Sequence, residues 1–562
     1  MGQIHYNAAV EENFSQARRW LINCVDSHPK CGAGQSSVDS MIMLPTRVID
    51  VGPLDGSQEP RLLISDGKRA PYISLSHCWG GSQHTCKLSH DTLLTWQQGI
   101  PLASLPRTFR DAVHVTRKLE QRYLWIDSLC IIQPTPDDDS DWQKEGAVMG
   151  DIYRNSICNI AATVAKNSHS GFLTERPGAR YLLKPCKLQD INNKGIYVLP
   201  PQPSFSEIVD NAPLNRRAWV LQERLLSPRI LHWAPEGMFW QCSKTWASED
   251  TPDGLIYEDP GDVTGVDILT LTTYNATTWE WFRLIENYTS RGMTNDADKL
   301  PALSGISRII GSNTGSIYYA GLWQHPTAKR LNNFRPAQAS GAPELSFTAG
   351  LMWQSDSTIS NTPRRPKSYV APSWSWASVV GTIRYSSARA PVGGWMDIRW
   401  EIKADVVVAD TVPVVDPYGQ VSAGKLKIRG VLLDGFQAVP MPGPVMPDSR
   451  NGLDAPTGPQ YCALLHTDRP RLEELERYSD GSFDSHVCFD VVPTTPWEDF
   501  SCLLIATYVN DIVQGSNWRY SAMALTRSQD GPETYERVGW ARLGDGFSGC
   551  FDRCKMRTLK VV

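Results

Sequence analysis

Hydrophobic positions are densest between Tyr123 and Tyr153. The stretch opens with YLWIDSLCII, in which Leu124, Trp125, Ile126, Leu129, Cys130, Ile131 and Ile132 are apolar and Asp127-Ser128 interrupts them. A run of this length, closed by Pro134, predicts a strand over Tyr123–Ile132 that is buried on both faces. Asp127 and Ser128 inside such a run need buried partners or belong to a site. After an acidic turn, Asp137-Asp138-Asp139, Ser140 and Gln143 have capping-box spacing. The helix that follows places Trp142, Glu145, Met149, Ile152 and Tyr153 on one face. Glu145 is the ionisable member of that face. An unpaired carboxylate on an inward stripe costs several kcal/mol, so it finds a partner, shifts its pKa or lines a cleft.

The same periodicities organise the rest. Residues 12–30 read as an amphipathic helix, and MLPTRVIDVG with RLLISDG as two short strands around a turn. Tyr72–Ser76 is a strand running into a Gly80-Gly81 turn. Phe109, Ala112, Val113, Thr116 and Leu119 then recur at helical spacing behind Pro106-Arg107. Strand, helix, strand, helix in that order implies parallel strands in an α/β layer, with ligands gathering at the strands' carboxyl ends. Those ends bring Ser76, His77 and Gly80 near Asp127, Ser128 or Cys130, according to where the second strand stops. CNIAATVA (158–165) supplies a third strand. In RRAWVLQERLLSPRILHW, Gln222-Glu223-Arg224 are polar residues beside a core of Trp219, Leu221 and Leu225. Residues 277–310 are helical in pattern, and from Ile383 to Val562 period-two alternation predicts a β-rich module. The expected organisation is an N-terminal helix and short strands packing on the core (1–70), an α/β domain (71–235), a mixed, helix-containing extension (236–382) and the β-rich module (383–562).

Composition narrows the partners. The 562 residues are too many for one core, so two to four domains are expected. A net charge of -5, from 55 basic and 60 acidic residues, gives no support to a nucleic-acid partner. No run approaches the length of a membrane span. Thirteen cysteines without disulfide-domain spacing, and no apolar leader, point to a reduced, cytoplasmic setting. His77, Cys78, His84, Cys86 and His90 match no standard zinc spacing, and no metal or cofactor is assigned. There is no Walker loop, GxGxxG or GxSxG.

At YISLSHCWGG, at YLWIDSLCIIQ with DWQKEGAVMGDIY, and at RRAWVLQERLLSPRILHW, the chain resembles the fungal heterokaryon incompatibility (HET) domain family. RRWLINCVDSHPKC and LPTRVIDV upstream fit as well, as do DKLPALSGI and APSWSWAS downstream, so the resemblance runs from Trp20 to about Gly381. Pro134-Thr135-Pro136 stands where the family usually has a short acidic turn. The resemblance implies a role in non-self recognition and programmed cell death, through self-association or a partner HET-system protein. It also implies a TIR-like core, a mostly parallel sheet flanked by helices. Trp142 and Glu145 match the Trp-x-x-Glu of TIR domains, whose glutamate is catalytic in the NAD-cleaving members. NAD is then a substrate, not a cofactor. A carboxylate stabilises the oxocarbenium-like transition state, and Trp142 or Trp79 stacks a ring.

Three alternatives stand beside this. Glu145 pairs structurally with Arg217 or Arg224. Or the strand ends serve a small-molecule biosynthetic enzyme through His77, Asp127 and Cys78 or Cys130, with Ser76, Trp79, Gly80 and Ser128 contacting substrate. Or the protein is non-catalytic, and its β-rich module recognises a partner.

Overall fold

Short runs buried at every position, among them Arg47–Asp50, Ile73–Ser76 and Cys158–Ala161, build a nine-stranded sheet in the first half of the chain. A computed structural model of the protein describes residues 4–31, 42–81, 86–176, 186–188, 196–198, 205–256, 274–324, 347–356, 362–385, 398–440, 461–465, 485–491, 498–510, 518–544 and 547–562. The chain divides into two units, Met1–Thr264 and Gly265–Val562.

In the first unit the helices are α1 (Glu11–Ser27), α2 (His90–Gln98), α3 (Arg107–Lys118), α4 (Asp127–Cys130), α5 (Ser140–Asn155) and α6 (Ala218–Leu226). The strands are β1 (Arg47–Asp50), β2 (Arg61–Ile64), β3 (Ile73–Ser76), β4 (Tyr123–Trp125), β5 (Cys158–Ala161), β8 (Arg229–Ala234), β9 (Gly237–Cys242), β10 (Thr245–Ser248) and β11 (Leu255–Ile256). A separate hairpin joins β6 (Cys186–Leu188) to β7 (Ile196–Val198). The sheet order is β11-β10-β9-β8-β5-β3-β4-β1-β2. Its centre, β8-β5-β3-β4, is parallel, and antiparallel strands extend it at both edges. As expected, the first two core strands are neighbours and parallel, and the helix beginning at Arg107 joins them.

The chain passes from β3 to β4 through α3, then returns across β3 to β5 through α5. Alternation along β3 shows where the two helices lie. Tyr72 donates to the Ile152 carbonyl at 2.6 Å and Ser74 meets the Ser156 hydroxyl at 3.0 Å, both towards α5. His77, of opposite parity, sets its ring against Phe109 of α3, with centroids 4.9 Å apart. The helices therefore cover opposite faces. The carboxyl end of β3 is the place where the connections diverge, which is where open α/β sheets bind ligands.

Two local expectations are corrected. The strand expected over Tyr123–Ile132 ends at Trp125, and Asp127–Cys130 turns into a helix in which Leu129 and Cys130 donate to the Ile126 carbonyl. A short apolar run does not distinguish a buried strand from a buried helical turn. Here Asp127 takes the Ser128 N–H on its own carboxylate at 2.6 Å and so starts the turn. Ser140 is the first residue of α5, not its cap. The N-cap is Asp139, whose side chain accepts the Gln143 side-chain amide at 3.2 Å and no helix N–H, while Asp138 accepts the Ser140 N–H at 2.9 Å.

The second unit begins with helices at Tyr274–Thr289 and Ser304–Thr314 and ends in the expected β-rich module. Strand 421–440 pairs with 461–465 on one side and 498–510 on the other. From there pairing runs through 518–527, 534–544 and 485–489 back to 461–465. The ring closes on itself around Phe436, Phe489, Phe500, Leu543 and Phe547, which removes open edges between its members.

Candidate functional site at the carboxyl ends of the parallel strands

The end of β3 delivers Ser76 and His77, and the start of α4 delivers Asp127. Ser76 accepts from Asn159 of β5 at 2.9 Å. His77 is buried, with Nδ1 3.8 Å from Asp127 Oδ1. Trp79 donates its indole N–H to Asp127 Oδ2 at 2.8 Å. Arg217, the residue before α6, donates to the His77 carbonyl. Burial, helped by the Arg217 charge, holds the His77 imidazole well below its usual pKa, so it is neutral near pH 7. Gly80 has φ +88°, and a Cβ there would come within 2.3 Å of Asn167 Cβ. Only glycine lets this turn lie on the 167 loop. Of the residues expected at the strand ends, Ser76, His77 and Gly80 follow one another out of β3, and Asp127, which opens α4 with Ser128, lies beside His77.

A further carboxylate joins them. Glu223 of α6 lies within interaction range of Ser76, Tyr153, Arg217 and Asp127. Its Oε2 is buried without a hydrogen-bond partner. Burial pushes its pKa up to about 7, against the pull of Arg217. Such a group exchanges a proton near neutrality, which suits general acid–base work. The shift also sets a pH dependence. The folded pKa lies above the unfolded value of 4.5, so the folded chain holds the proton more tightly. Stability falls as pH rises from about 4.5 to about 7, by about 3 kcal/mol in all. Glu223→Gln is expected to be more stable than wild type at pH 8 and nearly equal to it at pH 4. Comparing urea midpoints of the two proteins isolates this group from the buried imidazoles of His77 and His232, which titrate with the opposite sign.

The second corner is built on Arg47 of β1. Its Nε donates to the Cys130 carbonyl at 2.6 Å, and its Nη2 lies 2.5 Å from Asp141 and 3.9 Å from Glu145. The arginine beside Glu145 is therefore Arg47, not Arg217 or Arg224. Arg217 serves the His77 carbonyl, and Arg224 serves Asp210 and Gln241. Glu145 is 2% exposed, and its Oε1 accepts no hydrogen bond. Trp142 folds back over Gly146, where a Cβ would come within 2.4 Å of its ring, and meets Trp219 of α6 edge-on at 5.6 Å. Cys130 is buried, and desolvation pushes its thiol up to about 12, so it is protonated at neutral pH. The Asp127 charge acts on Cys130, Tyr153 and Glu223 alike, which ties the two corners into one neighbourhood.

His84 lies outside the described residues. His90 is exposed beside Asp138 at 3.5 Å, and among the described residues His77, Cys78, Cys86 and His90 form no metal-ligating group. Glu223, Arg217, Arg47, Tyr153 and Asn159 belong to the site although none was singled out as a site residue. For Glu223 the signal was present: three consecutive polar residues inside an apolar helix leave some of them facing inward.

Residues 72–223 match the family model described as "Heterokaryon incompatibility protein (HET)". No curated protein and no solved structure gives a match. Among the described residues, no helix is long and apolar enough to cross a membrane.

Proposed function

We propose, on the premise that this is a heterokaryon incompatibility-type protein with its HET domain at residues 72–223, that the domain hydrolyses the nicotinamide–ribose bond of NAD and thereby drives a cell-death response. The observation that carries the reading is Glu145. It is buried, one oxygen accepts no hydrogen bond, and the nearest arginine is engaged more closely by Asp141 and the Cys130 carbonyl. A carboxylate kept this way is poorly explained as an ion-pair partner and well suited to a ribose hydroxyl or a developing positive charge.

In the reaction the C–N bond to nicotinamide breaks and its electron pair leaves with the ring. Water adds to the ribose carbon, and ADP-ribose, nicotinamide and a proton result. Glu145 stabilises the oxocarbenium-like ribose, and Trp142 or Trp79 flanks a ring of the substrate. Purified full-length protein incubated with NAD is expected to release nicotinamide and ADP-ribose in equal amounts, followed by chromatography. Folded protein that leaves NAD intact would overturn the reading.

A second reading rests on Glu223. Its pKa of about 7, beside Ser76, Tyr153 and the His77–Asp127 pair, fits acid–base turnover of another small molecule. On that reading NAD survives, and Glu223→Gln abolishes the other reaction. Self-association and a partner HET-system protein remain compatible with either chemistry, since they concern how the domain is triggered.

A further inference from the structure

The first unit carries a second constellation, away from the strand ends described above. Cys24 lies in the last turn of α1, His28 caps that helix, and Cys31 ends the short turn Pro29–Cys31. Cys242 ends β9, more than two hundred residues later, and the ligand atoms of all four side chains lie within 4.8 Å of one another. All three thiols are buried and free. His28 Nδ1 is 3.5 Å from Cys242 Sγ. The local backbone holds the first three residues in place. The His28 N–H donates to the Cys24 carbonyl at 3.1 Å, and the Cys31 N–H to the His28 carbonyl at 2.9 Å.

We propose that Cys24, His28, Cys31 and Cys242 form a structural zinc site that fastens the N-terminal helix to the end of strand β9 in the sheet. Three thiolates and one imidazole are a standard four-ligand set for zinc and a poor one for hard cations. Ligands at about 2.0–2.3 Å from the ion stand roughly 3.3–3.8 Å apart across a tetrahedron. The present spacing therefore closes onto one ion with small side-chain movements. The three thiols are buried and the imidazole of His28 is partly buried, so most of the ligand set is shielded from water.

The surroundings match the charge of such a centre. Three thiolates and Zn²⁺ leave one net negative charge. Arg229 of β8 faces it, with Nε 3.3 Å from Cys24 Sγ and Nη2 2.6 Å from the Cys31 carbonyl. Thr245 Oγ1 lies 3.6 Å from Cys242 Sγ, placed to donate to a coordinated sulfur. The spacing Cys-x3-His-x2-Cys with a fourth ligand over two hundred residues away is not a compact finger, which is why it does not stand out in the sequence.

The inference is independent of the NAD reading, because it concerns residues outside that site. Its test uses full-length protein expressed in zinc-supplemented medium and exchanged into metal-free buffer, with zinc measured by mass spectrometry. About one zinc per chain is expected, released by a thiol-modifying reagent, with a lower melting temperature after chelation. Growth on cobalt is expected to give the absorption of tetrahedral thiolate-bound Co²⁺. Cys242→Ser and His28→Ala are expected to lose most of the metal, and His28→Cys to retain it. Should the serine variant fail to fold, the wild-type metal content, the cobalt spectrum and the histidine variants decide the matter. Folded wild type without metal, metal content unchanged in folded variants, or a disulfide between any two of the three cysteines by peptide mapping would each overturn the proposal.

Discussion

Glu145→Gln is expected to lower nicotinamide release by at least about two orders of magnitude, roughly 3 kcal/mol of transition-state stabilisation, without loss of folded protein. The geometry makes the second half of that statement the discriminating one. Arg47 faces two carboxylates, at 2.5 Å for Asp141 and 3.9 Å for Glu145. Neutralising the more distant one leaves a balanced pair, and the melting temperature should hold or rise. If Glu145 were held for stability, the same change would lower the melting temperature while turnover per folded molecule survived. Asp141→Asn is the control. It weakens the close pair and the bond from the Ile132 N–H to Asp141 Oδ2 at 2.8 Å, and it should cost stability, on the order of 1–3 kcal/mol. Loss of activity only in the control would move the chemistry away from Glu145.

The parts of this fold written in local periodicity were legible. The strand at Tyr72–Ser76, the helix from Arg107 and the inward face of the helix bearing Glu145, Met149, Ile152 and Tyr153 all follow from spacing, and the last four are buried. The parallel pairing of β3 with β4 followed from the length of their connection. What local pattern did not hold was the end of β4. The run to Ile132 is apolar on both sides of Asp127-Ser128, and the switch to a helical turn is set by the Asp127 carboxylate bonding its neighbour's backbone.

The candidate site divides in the same way. Ser76, His77 and Gly80 were expected near Asp127, Ser128 or Cys130 because strand ends bring them together, and His77 beside Asp127 is the contact that results. Arg47 enters from a strand almost a hundred residues before Glu145, and Glu223 from a helix past β5, so their partners are fixed only by the tertiary fold. The same holds for the four zinc-ligating candidates. Three lie within eight residues, yet the fourth ends strand β9, more than two hundred residues later.

Arg537→Met is expected to be the most destabilising single change in the second unit, at about 3–5 kcal/mol. Arg537 and Asp490 are both fully buried, with Nε 3.1 Å from Asp490 Oδ2. The guanidinium also donates to the Leu351 carbonyl at 2.7 Å and to the Trp353 carbonyl, and it lies 3.4 Å from the centre of the Trp353 ring. Methionine keeps much of the volume and the contact with tryptophan. It strips Asp490 of its charge partner and leaves two buried carbonyls without a donor. Arg365, 3.7 Å from Asp490 but half-exposed, offsets part of this and places the value towards the lower end of the range. The loss should appear in urea denaturation followed by near-UV circular dichroism, and as faster hydrogen exchange along Thr534–Gly544. Replacing both members, Arg537→Met with Asp490→Leu, should recover more than half of it, because no buried charge is then left alone. A single-variant loss below about 1 kcal/mol would mean that Arg365 takes over the pair and that Arg537 does not hold this part of the β-rich unit together.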